Sequence, residues 1–189
     1  MMSAQDPRNK FKTSDYDQQE QELPGLQSKM KPQPDCGETS YKGHERLKGY
    51  KMLVTGGDSA IGRAAAIAYA KEGADVAINY LPSEEEDAQE VKQVIEDAGQ
   101  KGILIPGDLR DEQFNYDMVE TAYNELGGLD NVTLVAGHQQ YHDDIHGFNT
   151  EAFAETFETN VYPVFWTVQK ALEYLKPGSS ITTTSSVQG

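Results

Sequence analysis

From about residue 50 onward, short apolar runs alternate with longer amphipathic ones. Met52 to Thr55 is apolar without helical spacing, which predicts a strand. Ile61 to Glu72 places Ile61, Ala65, Ile67, Ala68 and Ala70 at helical intervals, so these are the expected buried residues of a helix. Val76 to Tyr80 predicts a second strand. Ser83 to Ala98 predicts a helix with an apolar stripe of Val91, Val94 and Ile95, opened by a capping box of Ser83 and Glu86. A third strand follows at Gly102 to Pro106. A third helix runs from Asp111 to Leu126 and is stopped by Gly127-Gly128. A fourth strand at Asn131 to Ala136 precedes one long helix, Thr150 to Leu175, stopped by Pro177-Gly178. Ser180 to Thr184 predicts a fifth strand.

Strand and helix alternating at this spacing imply parallel strands joined by crossover helices. Right-handed crossovers distribute the helices over both faces. The expected fold is a Rossmann-type doubly wound parallel sheet of order 3-2-1-4-5, with ligand at its carboxyl edge near the switch point. Residues 1–45 show neither period. They are rich in Gln, Lys, Asp and Pro, which predicts an irregular polar arm, either disordered or laid across the folded part.

The 189 residues carry 16 basic and 31 acidic side chains, a net charge of −15. That surface disfavours nucleic acid and anionic membranes as partners. Met1 to Lys12 holds no apolar leader, and no apolar run reaches membrane-spanning length, so a cytoplasmic protein is expected. The single cysteine, Cys36, reads as a structural thiol.

The candidate chemistry lies where the predicted strands end. Gly56-x-x-x-Ala60-x-Gly62 is a glycine turn between the first strand and the first helix, suited to bring backbone N–H groups against a phosphate. Its middle position holds Ala60, one methyl more than glycine. No Gly-Lys-Ser/Thr follows, which excludes a phosphate-loop NTPase. Asp108-Leu109 follows the third strand; the acid can bond an adenine amino group or cap the next helix. Ala136-Gly137 follows the fourth strand and leaves room for a ribose. Ser185-Ser186 follows the fifth, as a carbonyl-polarising hydroxyl or as ordinary turn residues. His138, His142 and His146, with Asp143 and Asp144, read as a solvated polar loop and not as a metal site. Glu84-Glu85-Glu86-Asp87 reads as a charged helix start that suits the helix dipole.

Taken in order, Thr55-Gly56 with Ile61-Gly62, Asp108-Leu109, Ala136-Gly137, Thr159-Asn160-Val161 and Thr184-Ser185-Ser186 resemble the short-chain dehydrogenases/reductases over about residues 48–189. The nearest likeness is to the glucose/ribitol-dehydrogenase-like oxidoreductase branch, whose arm resembles Pro34-Asp35-Cys36-Gly37-Glu38 through Arg46-Leu47. The resemblance implies an NAD(P)-binding Rossmann domain over residues 46–189, and hydride transfer between a nicotinamide and a small carbonyl or alcohol. It implies that Gly56, Ile61 and Gly62 hold the pyrophosphate, that Asp58 and Ser59 face the adenosine, and that Asp108 and Leu109 flank the adenine. Ala136 and Gly137 would lie beside the cofactor. Asn160 would hold a relay water, or mark a helix kink, and Ser186 would be the catalytic serine.

Members specific for NAD carry an acid at the end of the second strand, where this chain has Tyr80, free to stack on adenine or simply pack. NADP-specific members carry a base at the position of Ser59 or Leu81. Either cofactor fits, with NADP favoured by the lack of an acid. The family's proton-transfer tyrosine has a lysine four residues later; none of the ten tyrosines here does. The expectation is therefore a C-terminally truncated member, inactive alone, with strand 5 as an open apolar edge. A non-catalytic dinucleotide-binding module or a truncated remnant is the alternative. The full-length family implies a homo-oligomer.

Overall fold

Leu53 and Val54 in the first strand are fully buried because both faces of that strand are covered. The computed structural model describes residues 18–140 and 144–186. Among them five strands form one parallel sheet: β1 (Lys51–Thr55), β2 (Asp75–Tyr80), β3 (Gly102–Pro106), β4 (Asn131–Leu134) and β5 (Ser180–Thr183). Their order, β3-β2-β1-β4-β5, is the expected doubly wound order. Met52 pairs with Val76 of β2 and with Asn131 of β4, so all strands point their carboxyl ends to one edge.

Side chains alternate across β1. Met52 and Val54 pack with Ile67, Val91 and Ile95, from helices α1 (Ala60–Lys71) and α2 (Glu85–Asp97). Leu53 packs on the other face with Met118, Val119 and Ala171, from helices α3 (Glu112–Leu126) and α5 (Tyr162–Ala171). α3 begins where the Asp111 carboxylate accepts from the Phe114 N–H, 3.1 Å, and ends at Gly127 in the left-handed region, φ 75°. Asn115 is buried; its amide donates to the Leu109 and Asp111 carbonyls and accepts from Thr167 Oγ1, joining α3 to α5.

Five expectations change. The helix expected over 150–175 is two, α4 (Thr150–Asn160) and α5, with Val161 between them. Pro163 lacks an N–H, and it tolerates only the first turn of a helix, so a new helix starts there. The box expected from Ser83 and Glu86 does not form. Pro82–Glu84 is a short 3-10 turn instead, and Glu84 Oε2 accepts from the Leu81 N–H, 3.2 Å. β4 stops at Leu134, because the N–H groups of Val135 and Ala136 turn to Thr55 Oγ1, 3.1 and 3.3 Å. Ile61 is 61% exposed, and Gly62, Arg63, Ala66, Ile67 and Ala70 make the buried face of α1. As an edge, β5 carries Ile181 as its sole apolar residue, so it is less apolar than expected.

The arm, from residue 18, is laid across α1 and α2. Lys71 Nζ donates to the carbonyls of Gly37, Glu38 and Tyr41. Glu72 accepts from the N–H groups of His44 and Arg46, from the Arg46 guanidinium and from the Tyr41 hydroxyl. The Asp87 carboxylate, on α2, accepts from the N–H groups of Gln27 and Ser28, 2.5 and 3.0 Å. Cys36 and Leu47 pack against the α1 side of the core.

Candidate functional site

The turn between β1 and α1 is built from close backbone approaches. Gly56 has φ 61°, and a Cβ there would lie 3.0 Å from Ala136 Cα. At Gly62 a Cβ would lie 1.9 Å from the Gly56 carbonyl oxygen, so any side chain would pry the helix off the turn. Gly57 donates its N–H to the Asn79 carbonyl, 3.0 Å, which seats the turn on β2 as well as on β1. The result is a narrow backbone cradle in front of the first-turn amides of Ile61 and Gly62, which have no acceptor within the helix. That cradle is the shape a pyrophosphate requires.

Ala60, at the middle position, has φ 46° and is exposed. Its departure from glycine is therefore one of backbone conformation as well as of size. Ser59 occupies the N-cap position, yet its side chain makes no cap bond. The arm supplies one in its place: Gln27 Oε1 accepts from the Ala60 N–H, 2.7 Å. The Gln27 Nε2 lies 3.4 Å from Cys36 Sγ, and burial pushes that thiol's pKa up. A cavity of about 310 Å³ lies between Ser59 and Ala60 on one side and Gln21, Leu26, Gln27 and Met30 of the arm on the other.

Asp58 is 2% exposed, and its Oδ2 has no hydrogen-bond partner among the described residues. Burial raises its pKa most; hydrogen bonds to the carboxyl from its own backbone and from the Ser59 hydroxyl oppose that, the Asp87 charge adds to it and Arg63 opposes it. Glu84 is likewise pushed up, to about 7, by burial and then by Asp58. The acidic run is thus divided in its roles. Asp87 is buried and ties down the arm, Glu84 is half-buried, and Glu85 accepts from the Tyr80 hydroxyl, 2.5 Å. The simple charged helix start expected there misses these tasks.

Because the strands are parallel, the other candidates stand at the same edge. Tyr80 is buried in the core at the end of β2, so it packs. Leu109 is buried after β3. Asp108 does not cap α3, since Asp111 does. Its carboxylate is held by the Arg110 guanidinium, 2.6 Å at the closest, and that pairing lowers its pKa. Arg110 also reaches Glu155 of α4, 3.4 Å. Ala136 and Gly137 lie at the exit of β4, Gly137 exposed. Asn160, the last residue of α4, reaches back to that exit: Oδ1 accepts from the His138 N–H, 2.7 Å, and Nδ2 donates to the His138 carbonyl, 2.8 Å. Ser186 is exposed beyond β5. Asp144 caps a 3-10 turn, Ile145–Gly147, so His138 and His146 do not share a helix face; His142 and Asp143 lie outside the described residues. Gln27, Arg110 and the backbone of His138 are parts of the site that no local pattern announces.

The sequence profile of the short chain dehydrogenases matches residues 51–189. The uncharacterized oxidoreductase YhxD of Bacillus subtilis (strain 168) is 58% identical over 183 residues, 97% of this chain and 61% of that protein. The chain thus spans about 61% of the length of that relative. A short chain dehydrogenase from Burkholderia cenocepacia J2315 in complex with NADP superposes with a TM-score of 0.70, 36% identical, over 75% of this chain and 57% of the other. The carveol dehydrogenase of Mycobacterium avium in complex with NAD gives a TM-score of 0.70 at 25% identity, over 75% and 56% of the two chains.

Proposed function

Because the chain belongs to the short chain dehydrogenase family, we propose that it binds a nicotinamide dinucleotide along the carboxyl edge of its sheet. We assign it to an NAD(P)-dependent oxidoreductase acting on small carbonyls or alcohols. The observation that carries this reading is the cradle of Gly56 and Gly62, where a single Cβ would meet the Gly56 carbonyl oxygen at 1.9 Å.

In this reading the amides of Ile61 and Gly62 receive the pyrophosphate, and Gly56 lets it approach. Asp58 and Ser59 serve the adenosine end. Asp108, oriented by Arg110, and Leu109 border the adenine. Ala136 and Gly137 make room beside β4. Asn160 holds the backbone at His138, which fixes the wall of the cleft. Ser186 aligns and polarises the substrate oxygen. The bound nicotinamide supplies hydride transfer to or from the substrate carbon.

Proton transfer in this family needs a tyrosine with a lysine four residues on, and none of the ten tyrosines meets that spacing. The 189 residues by themselves are thus proposed to bind cofactor without turning it over, as a dinucleotide-binding part. No helix among the described residues is long and apolar enough to cross a membrane. With a single cysteine, the protein is assigned to the cytoplasm, and the family resemblance makes a homo-oligomer the proposed assembly of the full-length protein. The test is titration of NADH and NADPH fluorescence on the purified chain. Saturable binding below millimolar levels with no aldehyde reduction is expected. Absence of binding to either nucleotide, or clear turnover, would overturn the respective half of the proposal.

A further inference from the structure

Dinucleotide folds of this type distinguish the adenosine ribose by charge at the end of the second strand. Here that place is taken by Tyr80, which is buried with its hydroxyl on Glu85. An acid nevertheless stands close by, contributed by a different element. The Gly57 N–H is bonded to the Asn79 carbonyl, and a Cβ on Gly57 would strike Ile78 at 2.6 Å. The turn is thereby pressed onto the carboxyl end of β2, and the residue it delivers there is Asp58. The Asp58 carboxyl is almost wholly buried, with Oδ2 left without a partner among the described residues. A buried acceptor in that state costs free energy unless something satisfies it.

The surroundings set the sign of the local field. Glu84 is half-buried nearby, and the Asp58 charge helps to push its pKa up. Asp87 acts on Asp58 with the same sign, and both its oxygens are used by the arm. The cation acting on Asp58 is Arg63, which is committed to Glu38 at 2.7 Å and Glu90 at 3.1 Å. Lys71 is spent on arm carbonyls. Ser59, the next residue, is neutral and borders the open cavity whose other side is the arm. A 2′-phosphate would bring about two negative charges against this carboxyl group, whose nearby cation, Arg63, is already paired with two carboxylates. A 2′-hydroxyl brings none, and it offers the proton that Oδ2 lacks.

Given the dinucleotide reading, on which this rests, we infer that Asp58 is the residue that selects the cofactor, accepting the adenosine ribose hydroxyl and rejecting a 2′-phosphate. The chain therefore prefers NAD to NADP, the opposite of the leaning drawn from Tyr80 and Ser59 alone. The acid that reads the ribose has moved from the end of β2 into the glycine turn.

The experiment is calorimetric titration of NADH and NADPH into the wild-type chain, Asp58→Asn and Ser59→Arg, with thermal midpoints taken on each. Wild type is expected to bind NADH at least about tenfold more tightly than NADPH. Asp58→Asn keeps shape and removes charge, so the ratio should fall by about tenfold, chiefly through tighter NADPH binding. Ser59→Arg should raise NADPH affinity by supplying the missing cation, and it tests the idea even where Asp58→Asn alters folding. Equal or tighter binding of NADPH by wild type overturns the inference and leaves the dinucleotide reading standing. An unchanged ratio in both variants does the same. Failure of wild type to bind either nucleotide overturns both.

Discussion

Ala60 sits in a backbone conformation that suits glycine, and replacing it tests the geometry of the turn directly. Its φ is 46°, in the left-handed region, where an L-residue costs about 1 to 2 kcal/mol. The methyl is exposed, so little buried area is lost with it. The Gln27 bond goes to the backbone N–H and survives the change. Against this gain, glycine loosens the unfolded chain by about 0.4 to 1 kcal/mol. Ala60→Gly should therefore stabilise the protein by about 1 kcal/mol, a rise in melting temperature of about 2 to 4 °C for a chain of this size. Urea and thermal unfolding followed by circular dichroism would read it. Gly49→Ala is the matched control: φ there is 82°, and a Cβ would meet nothing within 4 Å. It should lose about as much as Ala60→Gly gains. A less stable or unchanged Ala60→Gly, beside a destabilised Gly49→Ala, would show that the backbone at residue 60 is not left-handed. NADH titration on the same protein separates strain from crowding, since only crowding of the pyrophosphate tightens binding when the methyl goes.

Three further outcomes are expected. Glu84→Gln should abolish a decline in stability with rising pH. Its ordinary value is 4.5 and its folded value about 7, so across that window the folded chain holds a proton the unfolded one has released. Stability then falls as pH rises through the window and is level above it, by about 1 to 2 kcal/mol after solvent screening at this half-buried site. Unfolding in urea at pH 5 and pH 8 measures the difference, and parallel pH curves for both proteins would refute it. Asn160→Ala should cost about 2 kcal/mol and speed hydrogen exchange at the His138 amide, because both backbone groups of His138 lose their partner. A protein with wild-type exchange at that amide would refute the clamp. Gly62→Ala should cost on the order of 3 kcal/mol, given the 1.9 Å approach, and should abolish NADH binding; a wild-type melting temperature would contradict the geometry.

Much of the architecture was legible because its causes are local or periodic. The apolar runs at Met52–Val54 and Val76–Ile78 belong to strands buried on both faces, and right-handed crossovers leave few sheet orders open. The break at Val161 was not legible, since Pro163 leaves the apolar spacing of the segment intact while ending its hydrogen-bond ladder. Ile61 looked like core by its spacing, but it stands in the first turn at the open edge of the sheet. The arm was illegible for another reason. Its bonds join residues 60 positions apart, as Gln27 with Asp87, and polar side chains paired at such range leave no periodic trace. For the site, the glycines and the strand-end motifs could be read as a set. The partners that hold them, Arg110 on Asp108 and the His138 backbone on Asn160, could not, because either depends on how a loop folds back.

The Gln27 contact makes the arm and the glycine turn parts of one equilibrium. A residue 33 positions upstream supplies the helix cap that the turn's own serine does not. A ligand that stiffens the turn in its Gln27-capped form holds the arm more firmly, and by thermodynamic reciprocity the seated arm favours that ligand by the same factor. What looks in the sequence like a tail is, in linkage terms, a second effector that the protein carries on its own chain.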